Sequence, residues 1–376
     1  MYINSVESAL INLNISYDVF RYEMKNWDND EKLVRELTEY INNSDKTYEC
    51  IFSVNFIPML SEVCNNLSDK GIKYISWVYD CPVNIRRVET MKNDCNTIYF
   101  FDRIQAEGHR KAGVNGARHM PLASDVDGFA ETIRKYGKVY DNHCDVALVG
   151  KLYKSDYQFI GQYQDEYTRG YLEGIISTQG KIYGGYVIDD CINSSIMQRI
   201  NENFAKASNG TYSVIKPEVT YALATEVTGR ERYMILTLLQ NRCKVNLYST
   251  EDDDRLTGVN KCGPVDYYNQ MPLIFNQAKI NLNISLKVIQ SGIPLRVFDV
   301  LACGGFLITN YQQEIAETFE DGKELVIYND IPDLIAKVNY YLTHEEERKA
   351  IARNGYEKVK RDCTFEKRMK EIIRDI

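Results

Sequence analysis

The stretch Asn281–Asn310, NLNISLKVIQSGIPLRVFDVLACGGFLITN, decides how this chain folds. An apolar strand, Lys279 to Ile284, overlaps its start and runs into a polar loop. The sequence then predicts a helix that opens at Ser291-Gly292-Ile293-Pro294 and closes at Gly304-Gly305, with a second apolar strand, Phe306 to Thr309, directly after. Proline in the first turn and glycine past the last are the start and stop signals of a β-α-β unit. The backbone N–H groups at Ser291, Gly292 and Ile293 and the positive end of the helix dipole favour an anion. Arg296, one turn in, offers a planar fork for phosphate, and Asp299 can accept hydrogen bonds from vicinal hydroxyls. Their neighbours Val297, Phe298, Val300 and Leu301 make this a buried helix. Charges inside such a unit need partners, and a ligand at the switch point of the sheet is one. The competing reading is a pair of charges on a solvated helix face.

Nucleotide-sugar binding uses all of these parts. Residues Arg296 to Gly305 follow the pattern R-[VIF]-[FY]-[DE]-x-L-x-x-G-G. Together with SVNFIP (Ser53 to Pro58), YISWVYDCP (Tyr74 to Pro82), FFDR (Phe100 to Arg103), HMPLA (His119 to Ala123), YYLTHEEER (Tyr340 to Arg348) and IARNGYEKV (Ile351 to Val359), they cover nearly the whole chain. In this combination the chain resembles the group-1-like, spore-maturation-type branch of the GT-B glycosyltransferases, with the N-terminal domain of unknown function that accompanies that branch. The resemblance implies an α/β GT-B fold of two Rossmann-like domains facing across a cleft. It also implies a nucleoside-diphosphate sugar as donor substrate, a UDP-sugar being the first choice, with no metal and no other cofactor. In the wider family two acidic residues stand eight positions apart. The second falls on Asp299, whose family role is to hold the ribose hydroxyls. The first falls on Ser291, so the carboxylate that contacts the transferred sugar in retaining members is missing. Retention is the expected stereochemistry, and this departure leaves it and the sugar open. Lys151, after the strand ending Val149-Gly150, sits where related folds place the diphosphate; a surface lysine is the alternative. Tyr248 and Tyr267 flank an acidic loop in the region where GT-B enzymes hold the nucleobase, although packing is the commoner fate of the 28 tyrosines.

Composition excludes several classes. The 376 residues suit two domains, and 44% hydrophobic with 26% charged residues is ordinary for a globular enzyme. Net charge is −8, and the halves are equally mild, 17 Lys+Arg against 21 Asp+Glu over residues 1–143 and 28 against 32 beyond. Nucleic acid therefore finds no electrostatic footprint here. Ten cysteines are scattered without a C-x-x-C pair or clustering with the four histidines, which points to reduced thiols and no metal site. Cys303 reads as a small core residue. No apolar run approaches the ~20 residues of a membrane span. The first residues lack a signal peptide's basic start and apolar core, and the expected location is cytoplasmic.

Strand-like and helix-like runs alternate along the chain, as in a parallel sheet covered on both faces. The chain goes almost directly into a helical pattern, Ser5 to Leu13, so a first strand is either reduced to Tyr2-Ile3 or missing. Strands are predicted at Tyr17 to Tyr22, Cys50 to Val54, Tyr74 to Tyr79, Thr97 to Phe101 and Ala117 to Met120. A second set follows at Asp145 to Val149, Lys244 to Tyr248 and Glu324 to Tyr328. The predicted organisation is an acceptor-side domain over 1–140, a donor-binding domain over 141–363, and a last helix, 364–376, that crosses back to the first domain. Thr343 with Glu346 has the spacing of a capping box.

Four further groups complete the candidates. Asn281 and Asn283 alternate with Ile280, Leu282 and Ile284; Asn283, nearer the strand's carboxyl end, faces the donor or holds a neighbouring loop. Asp80 and Asp102 each end a parallel strand, where side chains look toward a crevice. Asp80 is the candidate general base or acceptor-positioning group, and N-capping of the Arg103 helix is the favoured role of Asp102. Glu251-Asp252-Asp253-Asp254 reads as a solvated acidic loop and not as a metal-binding D-x-D motif. The expected partners are the donor and a protein or glycan acceptor, such as a surface protein or polysaccharide. A non-catalytic, glycosyltransferase-like binding or scaffold subunit is the rival. An oxidoreductase stands behind both, because no G-x-G-x-x-G follows any predicted strand.

Overall fold

The computed structural model describes residues 3–27, 29–82 and 87–375. The chain forms two compact units. The first comprises Met1–Asp125, Ser291–Leu295 and Arg361–Ile376, and the second Val126–Gln290 and Arg296–Lys360.

The first unit is built on four parallel strands, β1 (Cys50–Val54), β2 (Lys73–Val78), β3 (Asn96–Phe100) and β4 (Ala117–His119), in sequential order. The central strand KYISWV is buried at every residue after Lys73, as a strand covered on both faces must be. Its Trp77 packs edge-on to Phe365 of the last helix, Phe365–Ile373, at 5.8 Å between ring centroids. The Tyr99 hydroxyl at the next strand donates to Asp375 at 2.5 Å. Thr364 N-caps that last helix and bridges to Ser124.

One local expectation is corrected here. Tyr17 to Tyr22 forms no strand. Its side chains pair with neighbours instead: Asp18 accepts from Lys46 and Tyr48, both at 2.7 Å, Tyr22 donates to Asp30, and Phe20 lies edge-on to Tyr40. The run is largely exposed, so water can meet its backbone groups and no ladder is needed. The described residues open with the helix Ile3–Asn12, which takes in Ile3 of the expected residual strand, and Tyr2 lies outside them.

The second unit carries six parallel strands: β5 (Val146–Val149), β6 (Val245–Tyr248), β7 (Asn260–Lys261), β8 (Ile280–Asn283), β9 (Leu307–Asn310) and β10 (Val326–Tyr328). Their order is β10-β9-β8-β5-β6-β7. The chain moves outward from β5 through β6 to β7, then returns to the other side of β5 for β8. The direction therefore reverses between β5 and β8, the topological switch point at which open α/β sheets bind ligands. β7, only two residues long, carries no periodic signal in the sequence and was not expected. The 24-residue helix Lys216–Leu239 packs Val227, Ile235, Leu236 and Leu239 into the core.

The helix of the deciding stretch is Leu295–Ala302, shorter at its start than predicted. Pro294 disfavours helical backbone at Ile293, so Ser291–Pro294 approaches the helix without joining it. At the other end Gly304 takes φ +68°, the left-handed stop. Gly305 follows where a Cβ would stand 2.5 Å from the Phe275 carbonyl oxygen. The capping box at Thr343 does not form. Thr343 closes the helix Ile331–Thr343 and donates to the Tyr340 carbonyl, while Glu346 pairs with Lys349. All ten cysteines are free, Cys303 being buried in the core. Among the described residues no helix is long and apolar enough to cross a membrane.

Candidate functional site

Within the second unit the helix Leu295–Ala302 brings three predicted residues together. Arg296 and Asp299, three apart, share one face, and their nitrogen and oxygen stand 3.5 Å apart. Asp299 is 1% exposed, and its other oxygen accepts the Tyr267 hydroxyl at 2.8 Å. Arg296, about a quarter exposed, also donates to the Met271 sulfur and lies over the Phe275 ring, 5.3 Å from its centroid. Tyr267 is wedged edge-on against Tyr268 and Phe129. The three residues form a charged, hydrogen-bonded constellation set into apolar walls.

The other predicted donor-site residues take different places. Asn283, buried at the end of β8, donates to Ser285 at 3.0 Å and Thr309 at 2.9 Å, so its amide holds the loop that follows its own strand. Asn281, lower on β8, donates to the carbonyls of Phe275 in the preceding helix and of Phe306 before β9. Tyr248, at the end of β6, accepts from Asn246 at 3.1 Å, and burial raises its phenol pKa. With Tyr136, His143, Asn246, Cys262 and Gln270 it lines a cavity of about 700 Å³, to which Tyr267 does not contribute. Lys151 is exposed directly after Gly150. The acidic loop is matched group by group: Glu251 accepts the Tyr153 N–H, Asp252 pairs with Lys261, and Asp253 with Arg255.

At the switch point the structure adds residues that no motif marked. Arg232 is 7% exposed and sends one guanidinium nitrogen to the Lys151 carbonyl after β5 and another to the Ile284 carbonyl after β8. It lies over the Tyr153 ring at 4.8 Å. Gly150 beside it, at φ +152°, leaves room that a Cβ would reduce to 3.1 Å from the guanidinium. Next to Arg232, the buried Glu231 carboxylate takes the Lys287 ammonium at 3.0 Å and the hydroxyls of Tyr183 and Tyr328 at 2.8 and 3.0 Å. The signal for these residues was the pair Glu231-Arg232 on a helix whose neighbours at Val227, Thr228, Ile235 and Leu236 are core residues. Charges on a buried helix face require partners.

Within the first unit Asp102 N-caps the helix Arg103–Lys111 through the Gln105 N–H at 2.9 Å. Its carboxylate also accepts from the backbone N–H groups of Ser291 and Gly292, at 3.0 and 3.1 Å, and from the Ser291 hydroxyl at 3.2 Å. The N–H groups read as an anion site thus bind a carboxylate of the chain itself. Gly292 is required for this approach, since a Cβ would stand 2.8 Å from the Asp102 Cα and 2.9 Å from the Phe101 carbonyl oxygen. Ile293 is buried in the same segment.

Asp80 follows β2 and accepts the Asn55 amide at 2.8 Å, while Asn55 accepts the Tyr79 N–H at 2.7 Å. Asn55 does this from left-handed backbone, φ +61°, which asparagine tolerates better than most residues. It links the carboxyl ends of β1 and β2 and orients Asp80, whose pKa partial desolvation raises. The sequence segment SVNFIP contained Asn55, but nothing in it indicated this contact.

Comparison with known proteins agrees with this architecture. Residues 230–374 match the family described as glycosyl transferase-like. No curated protein matches the chain in sequence. Among solved structures it is similar to Anabaena HepE in complex with UDP and glucose (TM-score 0.53, 10% identity, 98% of this chain and 89% of that one). It is also similar to sucrose-phosphate synthase from Thermosynechococcus elongatus (0.54, 11%, 100% and 92%). An α,α-trehalose-phosphate synthase (UDP-forming) from Burkholderia vietnamiensis shares the same fold (0.50, 12%, 100% and 83%). The chain therefore has the GT-B glycosyltransferase fold, and the part of it that carries Arg232, Tyr267, Arg296 and Asp299 matches the glycosyl transferase-like family.

Proposed function

We propose that this protein is a glycosyltransferase that moves a sugar from a nucleoside-diphosphate sugar, bound by the second unit, to an acceptor hydroxyl presented by the first. The observation that carries this reading is the Arg296–Asp299–Tyr267 constellation on the helix after β8, inside the segment that matches the glycosyl transferase-like family. A solved complex of the similarly folded HepE with UDP and glucose, and the UDP-forming synthase, support a UDP-sugar as the donor. Arg296 would grip phosphate, and Lys151 would add positive charge beside the leaving diphosphate. Asp299 would hold the ribose hydroxyls. Asp80, oriented by Asn55 and with its pKa raised by desolvation, is the group for the acceptor hydroxyl. Transfer without a metal, with retention, in the cytoplasm and onto a surface protein or polysaccharide completes the proposal.

One observation favours a non-catalytic binding subunit instead: Ser291 brings no carboxylate, and its N–H, like that of Gly292, is already engaged by Asp102. Thermal unfolding against UDP-, GDP-, dTDP- and CMP-sugars decides between the readings. A ligand at about 100 times its Kd adds about 2.7 kcal/mol, a rise of several degrees. The expected result is a shift confined to one nucleotide, lost in Arg296→Ala with the fold intact. No shift with any nucleotide would remove the donor site and leave the binding subunit.

A further inference from the structure

The short helix Met271–Gln277 separates two environments within the second unit. Met271 and Phe275, four residues apart, face Arg296. Leu273 and Ile274, with Gln270 just before the helix, face the other way and line the cavity of about 700 Å³ beside β6 and β7. Neither Arg296 nor Asp299 lines it. Its volume falls within the roughly 300–1,000 Å³ of small-molecule sites.

The wall that β6 gives this cavity differs from an ordinary buried strand. All four of its residues are buried, and Val245 and Leu247 enter the apolar core. The alternate positions are Asn246 and Tyr248, polar where a sheet covered on both faces is ordinarily apolar. Asn260 of β7 stands opposite Asn246 in register. Asn246 gives one N–H to the Tyr248 hydroxyl and accepts one from Asn260, each at 3.1 Å. An amide has two N–H donors. Among the described residues the second N–H of Asn246 meets no acceptor, and the side-chain carbonyl of Asn260 meets no donor. Gln270 accepts the Asp266 N–H through its oxygen, and its own N–H groups find no acceptor among the described residues.

Donors and acceptors left over in one cavity suit a ligand rich in hydroxyls, each of which is both. Charge agrees with this. The Asp141 and Asp266 carboxylates oppose an anion, no arginine lines the cavity, and the Lys244 ammonium is held by the His143 carbonyl at 2.8 Å. Tyr140, 55% exposed and edge-on to Tyr136 at 6.4 Å, supplies an aromatic face for the C–H side of a sugar ring.

We propose that this cavity is a second, carbohydrate-binding site that takes an uncharged oligosaccharide independently of the nucleotide-sugar donor. Asn246 and Asn260 meet its hydroxyls, and Tyr140 packs on a ring. Tyr248, expected from the sequence beside a nucleobase, thereby borders a sugar, and competition with UDP separates the two.

The one exposed cysteine of the ten, Cys262, lines the cavity and reports on it. The full chain is titrated calorimetrically with maltotriose, cellotriose, mannotriose and chitotriose, and its iodoacetamide labelling is followed at the Cys262 peptide by mass spectrometry. At least one trisaccharide should bind and slow labelling of Cys262. Asn260→Ala should weaken that sugar by about three- to tenfold, the loss of one hydrogen bond. Tyr140→Ala should weaken it by about tenfold, with Tyr140→Phe close to wild type. UDP and uridine should neither displace the sugar nor protect Cys262. Displacement by either would make the cavity a nucleobase pocket and overturn the proposal. Binding of none of the four sugars also overturns it. So does binding that leaves Cys262 labelling unchanged, which puts the sugar elsewhere, and this readout on the wild type holds whether or not a variant folds.

Discussion

Replacing Glu231 with alanine should be among the most damaging single changes to the second unit. The Glu231 and Lys287 side chains are 3% and 8% exposed and 3.0 Å apart, and the same carboxylate holds the hydroxyls of half-buried Tyr183 and buried Tyr328. Among the described residues, removing it leaves the ammonium the face of the Tyr183 ring, 4.2 Å away. Breaking a buried pair from one side costs about 3–5 kcal/mol. The stranded Tyr328 hydroxyl would by itself cost about 1–3 kcal/mol. These losses share one site and overlap, so the expected total is about 3–5 kcal/mol. For a unit of this size that is a fall in Tm of about 6–20 °C. Urea and thermal unfolding followed by circular dichroism measure it. The double variant Glu231→Leu with Lys287→Met should recover most of the loss, because an apolar pair of similar volume replaces a buried ion pair at little cost. A loss below about 1 kcal/mol in the single variant, or a double variant no better than the sum of its singles, would refute the account of this layer as a desolvated, mutually dependent pair.

Two further outcomes follow from the first unit. Gly292→Ala places a methyl group against the Asp102 and Phe101 backbone, at 2.8 and 2.9 Å, where no flexible side chain can yield. It should destabilise by about 1–3 kcal/mol, and an unchanged unfolding midpoint would show that the close approach is not required. Asp80 has a pKa raised above 3.8 by desolvation, so its ionisation opposes folding. That penalty grows as pH rises from the ordinary carboxylate range through the raised value and is absent below both. Asp80→Asn should therefore unfold at a slightly higher temperature than wild type at pH 7, converge with it in acid, and lose sugar transfer. A variant no more stable at pH 7, or one with full transfer activity, contradicts this assignment.

Much of the architecture was legible because it depends on local pattern. Short apolar runs rich in aromatic and β-branched residues, such as YISWV and VALV, between helical stretches read as strands of a parallel sheet covered on both faces, and proline and glycine bracket the helix between β8 and β9 wherever it packs. The spacing of Arg296 and Asp299 puts them on one helix face before any tertiary contact exists. Tyr17 to Tyr22 misled because alternation signals a strand only where a neighbour strand is present to pair with it. β7 escaped because two residues carry no period.

The site divides along the same line. The sequence by itself determined which helix follows β8, that it is buried, and that it carries an arginine and an aspartate three residues apart. Only the tertiary structure decided their partners. Tyr267 reaches Asp299 from 32 residues away, Asn55 reaches Asp80 from 25, and Asp102 reaches Gly292 from 190. Arg232 ties carbonyls 81 and 52 residues distant. Such contacts follow from strand order, and the return of β8 to the far side of β5 is set by how whole layers pack, which no periodicity within one segment encodes.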